Sequence, residues 1–214
     1  GRYVVFSSST TNLVSPPLVN PNFDSHILRY DIETGETILV SKASNGVPGD
    51  DRSLYPQLSY TGRYVTYFTF AKNIVGNTPE SEVLFYPYIV RYDGLTDSTA
   101  QVNVSADGTT SGLGQLPAVG ISSNGRLITF GDSSGSLLPG DTNGQGDVFV
   151  KDMETGEVAL LSIGAEGQQS NGVSANPTLT AKNLNGLSFA VAFESLATNL
   201  TPTSSGMTDV FETG

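Results

Sequence analysis

Oxygen-bearing side chains at alternate positions of a glycine-rich turn can converge on one hard cation. The run Gly140-Asp141-Thr142-Asn143-Gly144-Gln145-Gly146-Asp147 has that form, and makes Asp141, Asn143, Gln145 and Asp147 candidate Ca²⁺ ligands. It departs from the EF-hand loop, because no bidentate glutamate closes it at position 12. The competing reading is a solvated turn whose aspartates and asparagine cap neighbouring backbone N–H groups. A second candidate is aromatic. Phe85, Tyr86 and Tyr88 end a stretch expected to be a loop, and form a candidate patch for a protein partner or an extracellular glycan. Packing against adjacent structure is the alternative for these rings.

Catalytic chemistry finds less footing. His26 is the single histidine, and it would need a nucleophile or a metal as partner. No Gly-x-Ser-x-Gly elbow supplies the nucleophile, so His26 reads as a surface or interface residue, with Asp24 as a neighbour able to pair with it. The carboxylate pairs Asp50-Asp51 and Glu80/Glu82 lie in expected loops. Sugar hydrolysis needs two carboxyls about 5–10 Å apart, a distance that sequence does not supply. No catalytic residue is assigned. Asn103-Val104-Ser105 and Asn199-Leu200-Thr201 fit glycosylation sequons, a short motif that often arises by chance.

Composition narrows the classes. The chain has 214 residues, 37% hydrophobic and 14% charged, with no cysteine, which excludes disulfide scaffolds and thiolate metal sites. The net charge of −11 disfavours nucleic acid and anionic membranes as main partners. No apolar run approaches the roughly 20 residues of a membrane helix. The chain opens at Gly1-Arg2-Tyr3 without a leader, so a signal peptide is expected to be absent or already removed. An acidic, cysteine-free sequence rich in Ser, Thr, Asn and Gly suggests an extracellular, cell-surface or periplasmic setting.

The elements that must position these residues show themselves by repetition. Gly1-Arg2-Tyr3-Val4-Val5-Phe6 recurs as Gly62-Arg63-Tyr64-Val65-Thr66-Tyr67 and as Gly125-Arg126-Leu127-Ile128-Thr129-Phe130, with a looser copy from Gly186 through Phe193. The glycines are 61, 63 and 61 residues apart. Pro56, Pro117 and Pro177 keep nearly the same step, as do Asn12-Leu13, Asn73-Ile74, Ser136-Leu137 and Asn199-Leu200. One period carried by three markers identifies a repeat protein. Each unit reads as short strands joined by turns such as Asn124-Gly125, without helical periodicity, and a sheet of this kind must stack on its neighbours. The recurring aromatics Tyr3, Phe6, Tyr64, Phe68 and Phe130 are expected in the core. The full set of loop oxygens occurs once, since the last unit keeps only Asp209, so any metal site is expected to be single.

These motifs resemble the PD40 (WD40-like, TolB-type) β-propeller repeat. The likeness rests on Ser59-Tyr60-Thr61-Gly62-Arg63-Tyr64, on Ser122-Ser123-Asn124-Gly125-Arg126, on Asp147-Val148-Phe149-Val150-Lys151-Asp152 and on the Glu33-Thr34-Gly35 and Glu154-Thr155-Gly156 turns. It implies an all-β propeller segment of about four four-stranded antiparallel blades, at about residues 1–45, 54–108, 115–167 and 175–214. The first and last blades are expected to have three strands each. By family analogy the whole would be a fragment of a seven- or eight-bladed disc. Such propellers serve as scaffolds, peptidase gating domains and polysaccharide-degrading domains, so the resemblance speaks to fold more than to role. The leading expectation is a non-catalytic binding or structural module. One alternative is the propeller portion of a hydrolase or lyase whose catalytic residues lie elsewhere. Another is a subunit that docks through blade edges.

Overall fold

The computed structural model describes residues 1–19, 25–76, 86–181, 189–203, 207 and 209–213. The first sheet is β1 (Tyr3–Ser8), β2 (His26–Asp31) and β3 (Thr37–Leu39). The second is β4 (Ser53–Leu58), β5 (Tyr64–Thr69), β6 (Tyr88–Asp93) and β7 (Ser98–Gln101). The third is β8 (Gly114–Ile121), β9 (Leu127–Asp132), β10 (Asp147–Asp152) and β11 (Val158–Leu160), and the fourth is β12 (Ser174–Ala181), β13 (Phe189–Ser195) and β14 (Asp209–Thr213). All pairings are antiparallel between consecutive strands. A single helical turn, α1 (Lys72–Val75), sits between β5 and β6.

Local chemistry explains the strand breaks. Gly62 and Gly125 turn the first hairpin of their sheets at φ of 72° and 73°, a region glycine enters without steric cost. The proline marker coincides with a bulge. Register shifts between Leu54 and Gln57, between Gln115 and Val119, and between Ala175 and Thr178, each interval holding the marker proline. A bulge is where a strand accepts a residue that cannot donate to the ladder. Tyr55 and Asn176, just before two of these prolines, adopt φ of 53° and 51°.

Strand side chains point to opposite faces in turn, so the second and third sheets bury both faces between neighbours and the first and fourth bury one. Ile27 and Val40 of the first sheet meet Val65, Tyr67, Tyr88, Val90 and Tyr92 of the second. Phe68, Ile89 and Val102 meet Val119, Ile128, Phe130, Phe149 and Val158 of the third. Val148 meets Val191, Phe193, Ala197 and Leu200 of the fourth. Phe68 and Phe130 are fully buried, as their recurrence predicts. Tyr3 and Tyr64 are half-buried.

Candidate functional site

Recurring side chains are engaged in holding the sheets. Arg2, Arg63 and Arg126 at the start of the second position in each repeat reach Asp31, Asp93 and Asp152 at the end of the next strand, with N–O separations of 2.5, 2.7 and 2.6 Å. The paired guanidinium holds Asp31 and Asp93 down to about 2, and lowers Asp152 as well. Arg29 and Arg91 lie over the Tyr3 and Tyr64 rings, at 4.6 and 4.5 Å from the centroids. The same two arginines donate to the carbonyls of Gly62 and Gly125 in the following sheet, at 2.8 and 2.7 Å. A side chain on either glycine would collide with the tyrosine beneath it. The third sheet replaces this pair with Leu127 and Val150, both 8% exposed.

The asparagine marker is a clamp. Asn73 donates to Pro48 O at 2.8 Å and accepts from Asp50 N at 3.0 Å. Asn199 does the same with Gln169 O and Asn171 N, at 2.8 and 3.0 Å. Asn103 is fully buried; it accepts from Ile89 N at 2.8 Å and donates to Gly112 O at 3.1 Å. Both sequon asparagines therefore have their amides bonded to backbone, and the burial of Asn103 leaves it no exposed nitrogen to modify.

The predicted cation loop is brought together by hydrogen bonds. Asn143 turns its Oδ1 to Gln145 N at 2.9 Å, which fixes the amide so that Nδ2 donates to Asp147 Oδ2 at 2.8 Å and to Ser170 O at 3.0 Å. Ser162 and Ser170 donate to Asp147 Oδ1 at 2.5 and 2.8 Å. Asp147 is fully buried, with both oxygens satisfied by protein donors. Asp141 is 8% exposed and its Oδ1 has no partner among the described residues. Burial first, and then the charge of Asp147, raise its pKa. Gln145 joins the loop through its backbone N–H. Three of the four residues thus fit a hydrogen-bonded clasp between the loop and the connection at Ser162 and Ser170. Among the described residues no group of three or more His, Cys, Asp or Glu is placed to hold a metal ion.

The aromatic patch separates. Tyr88 is 7% exposed and packs in the core between the first and second sheets, which corrects its reading as a surface contact. Tyr86 is 41% exposed. Phe85, together with Asp24, Glu80, Glu82 and the Gly186 turn, lies outside the described residues. His26 is buried at 2% exposure on the first sheet.

A site not anticipated from sequence lies beside β3. A cavity of about 770 Å³ is bounded on one side by residues 14–19, on another by Glu36 and β3, and on a third by Lys42 and residues 46–50. His26 contributes to its wall. This size lies within the range of ligand clefts, roughly 300–1,000 Å³. Pro16, Pro17, Leu18, Val47 and Pro48 supply apolar surface, while Glu36 and Asp50 supply negative charge. The one ammonium, Lys42, is 2.8 Å from Asp97 and so is already neutralised. The one sequence signal for this site was Ser15-Pro16-Pro17-Leu18, where two prolines follow the Asn12-Leu13 marker instead of the single Pro139 or Pro202 of later repeats.

No protein-family model matches the sequence, and no curated protein matches it. Solved structures do. TolB from Acinetobacter baumannii superposes with a TM-score of 0.54 at 15% identity, over 98% of this chain and 38% of that one. Putative TolB from Agrobacterium tumefaciens gives 0.51 at 15% identity, over 99% and 61%. The fold is a β-propeller segment. Its four sheets are blades, and the sheet-by-sheet stacking bears out the architecture read from the repeats. Oligogalacturonate lyase from Vibrio parahaemolyticus gives a TM-score of 0.50 at 13% identity, over 99% of this chain and 48% of that one. This chain spans less than two thirds of the length of each of these three structures. Identities this low establish shared fold alone.

Proposed function

We propose that the chain is a non-catalytic binding module of an extracellular, cell-surface or periplasmic protein, built on PD40-type blades within a propeller of seven or eight, and that it takes its partner in the cleft beside β3. The observation that carries this reading is a contrast. Recurring arginine and aspartate side chains are committed to ion pairs within each blade and recurring apolar ones to the core between blades, whereas residues 14–19 of the first blade leave apolar surface open along the cleft. Solvent-exposed apolar side chains beside two carboxylates suit a protein segment or an uncharged glycan.

The alternative is the propeller portion of a larger hydrolase or lyase with catalytic residues outside this chain. For a polyanion such as oligogalacturonate the cleft carries the wrong sign, with Glu36 and Asp50 facing it and Lys42 paired to Asp97. The test is a binding screen of uncharged oligosaccharides and extended peptides against the wild type, Val47→Trp and Tyr86→Ala. Val47 is 51% exposed, so tryptophan there narrows the cleft without entering the core. Binding is expected to fall at least about tenfold in Val47→Trp and to persist in Tyr86→Ala. Unchanged affinity in Val47→Trp together with loss in Tyr86→Ala would move the site to the exposed loop of the second blade.

A further inference from the structure

Strand β3 is the outermost strand of the first blade, and its free edge lines the cleft through Thr37, Ile38 and Leu39. The ladder alternation fixes which backbone groups are available. Asp31 N donates to Glu36 O and Val40 N donates to Ile27 O, each at 2.9 Å, so residues 36, 38 and 40 turn their polar backbone groups toward β2. Thr37 and Leu39 turn theirs the other way. No described residue bonds these outward groups. An open row of this kind is a template for a further strand. Here it is recessed between apolar walls, and three residues of strand present about 10 Å of edge.

Charge selects among the occupants. Glu36 adjoins one end of β3 and Asp50, whose Oδ1 accepts from Asn73 N at 3.4 Å, also lines the cleft, while Lys42 is paired with Asp97. The chain as a whole carries −11, which steers cationic partners toward it and repels anionic ones. We infer that the occupant of this cleft is an extended, basic peptide segment of another protein, which adds to β3 as an antiparallel or parallel strand through the backbone of Thr37 and Leu39. This rests on the cleft being the partner site; it adds the mode of binding and the chemistry of the ligand. Backbone bonds would supply affinity, and lysine or arginine side chains reaching Glu36 and Asp50 would supply selectivity.

The probe is a short alternating lysine–valine peptide, with its glutamate–valine counterpart as control, titrated into the intact chain while amide exchange is followed by NMR. The lysine peptide is expected to bind and to slow exchange at Thr37 and Leu39, and the glutamate peptide to leave both unchanged. Glu36→Gln with Asp50→Asn, both at exposed positions, is expected to weaken binding about fivefold, the scale of two surface charge contacts. Leu39→Pro removes an outward N–H that no described residue uses, and is expected to abolish the peptide's exchange protection at the remaining amide of Thr37 while the circular dichroism stays that of the wild type. Equal binding of the two peptides, or binding that leaves Thr37 and Leu39 unprotected, overturns strand addition. Binding of an uncharged oligosaccharide that Val47→Trp removes, with no peptide bound, overturns it too while leaving the cleft as the partner site. Indifference of every ligand to Val47→Trp overturns both.

Discussion

Asp132 is 1% exposed; its Oδ1 accepts from Ser134 N and Oγ at 2.8 and 2.6 Å, while its Oδ2 has no partner among the described residues. Burial raises its pKa, and the nearby charge of Asp141 adds to the shift. A carboxyl whose folded-state pKa lies above its unfolded value stabilises the fold while protonated. That contribution is complete below the unfolded value of 3.8 and is lost as pH rises through the raised folded value. Asp132→Asn keeps the shape and removes the charge. The variant is expected to be more stable than the wild type at neutral pH by on the order of 1 kcal/mol, the scale of one unsatisfied buried polar group. The advantage should shrink as pH falls below 3.8. Thermal melts across that range decide it, and a variant less stable at neutral pH would show that Asp132 is held ionised. The arginine-paired aspartates work in the opposite sense. Asp93, held down to about 2, contributes stability that is present above 3.8 and fades toward about 2.

At the scale of elements, the loop from Asp141 to Asp147 carries the asparagine cap that its sequence allowed. Alternating oxygens are visible in sequence; the direction each one faces is not. Gln145 N captures Asn143 Oδ1, and that single bond turns the amide into a donor toward Asp147. Added Ca²⁺ is therefore expected to leave the melting temperature unchanged. Asp147→Ala is expected to cost about 3 kcal/mol, because it strands two serine hydroxyls and one amide of a buried network. A melting temperature that rises with Ca²⁺, and does so only with Asp147 present, would establish a metal site instead. The strands themselves were legible for a physical reason: glycine turns, proline bulges and asparagine clamps are local devices, and each recurs at one period. Sequence left Tyr88 open between surface patch and packing, since its burial depends on Ile27 and Val40 of the preceding blade rather than on its own neighbours in sequence. The cleft was not legible. It arises where residues 14–19 come to face β3 and the connection at 46–50, a meeting of segments that share no pattern.

At the scale of the molecule, stability is built between adjacent blades, and binding is left to what one blade does differently. Val65, Ile128 and Val191 face the preceding blade and are fully buried, whereas Val4 at the equivalent position of the first blade is 45% exposed. Val148 faces the following blade at 0% exposure, and Val210, its equivalent in the fourth, is 74% exposed. Such nearest-neighbour construction leaves the first blade free to carry the arm at residues 14–19 without disturbing the others. The most direct measurement is a hydrogen-exchange footprint of the intact chain with and without its bound partner, read residue by residue. A partner site in the cleft predicts protection confined to residues 14–19, to Glu36–Leu39 and to residues 46–50, with the Asp141–Asp147 loop unchanged. Protection centred on Tyr86 or on the Asp141–Asp147 loop, with β3 exchanging as before, would contradict it.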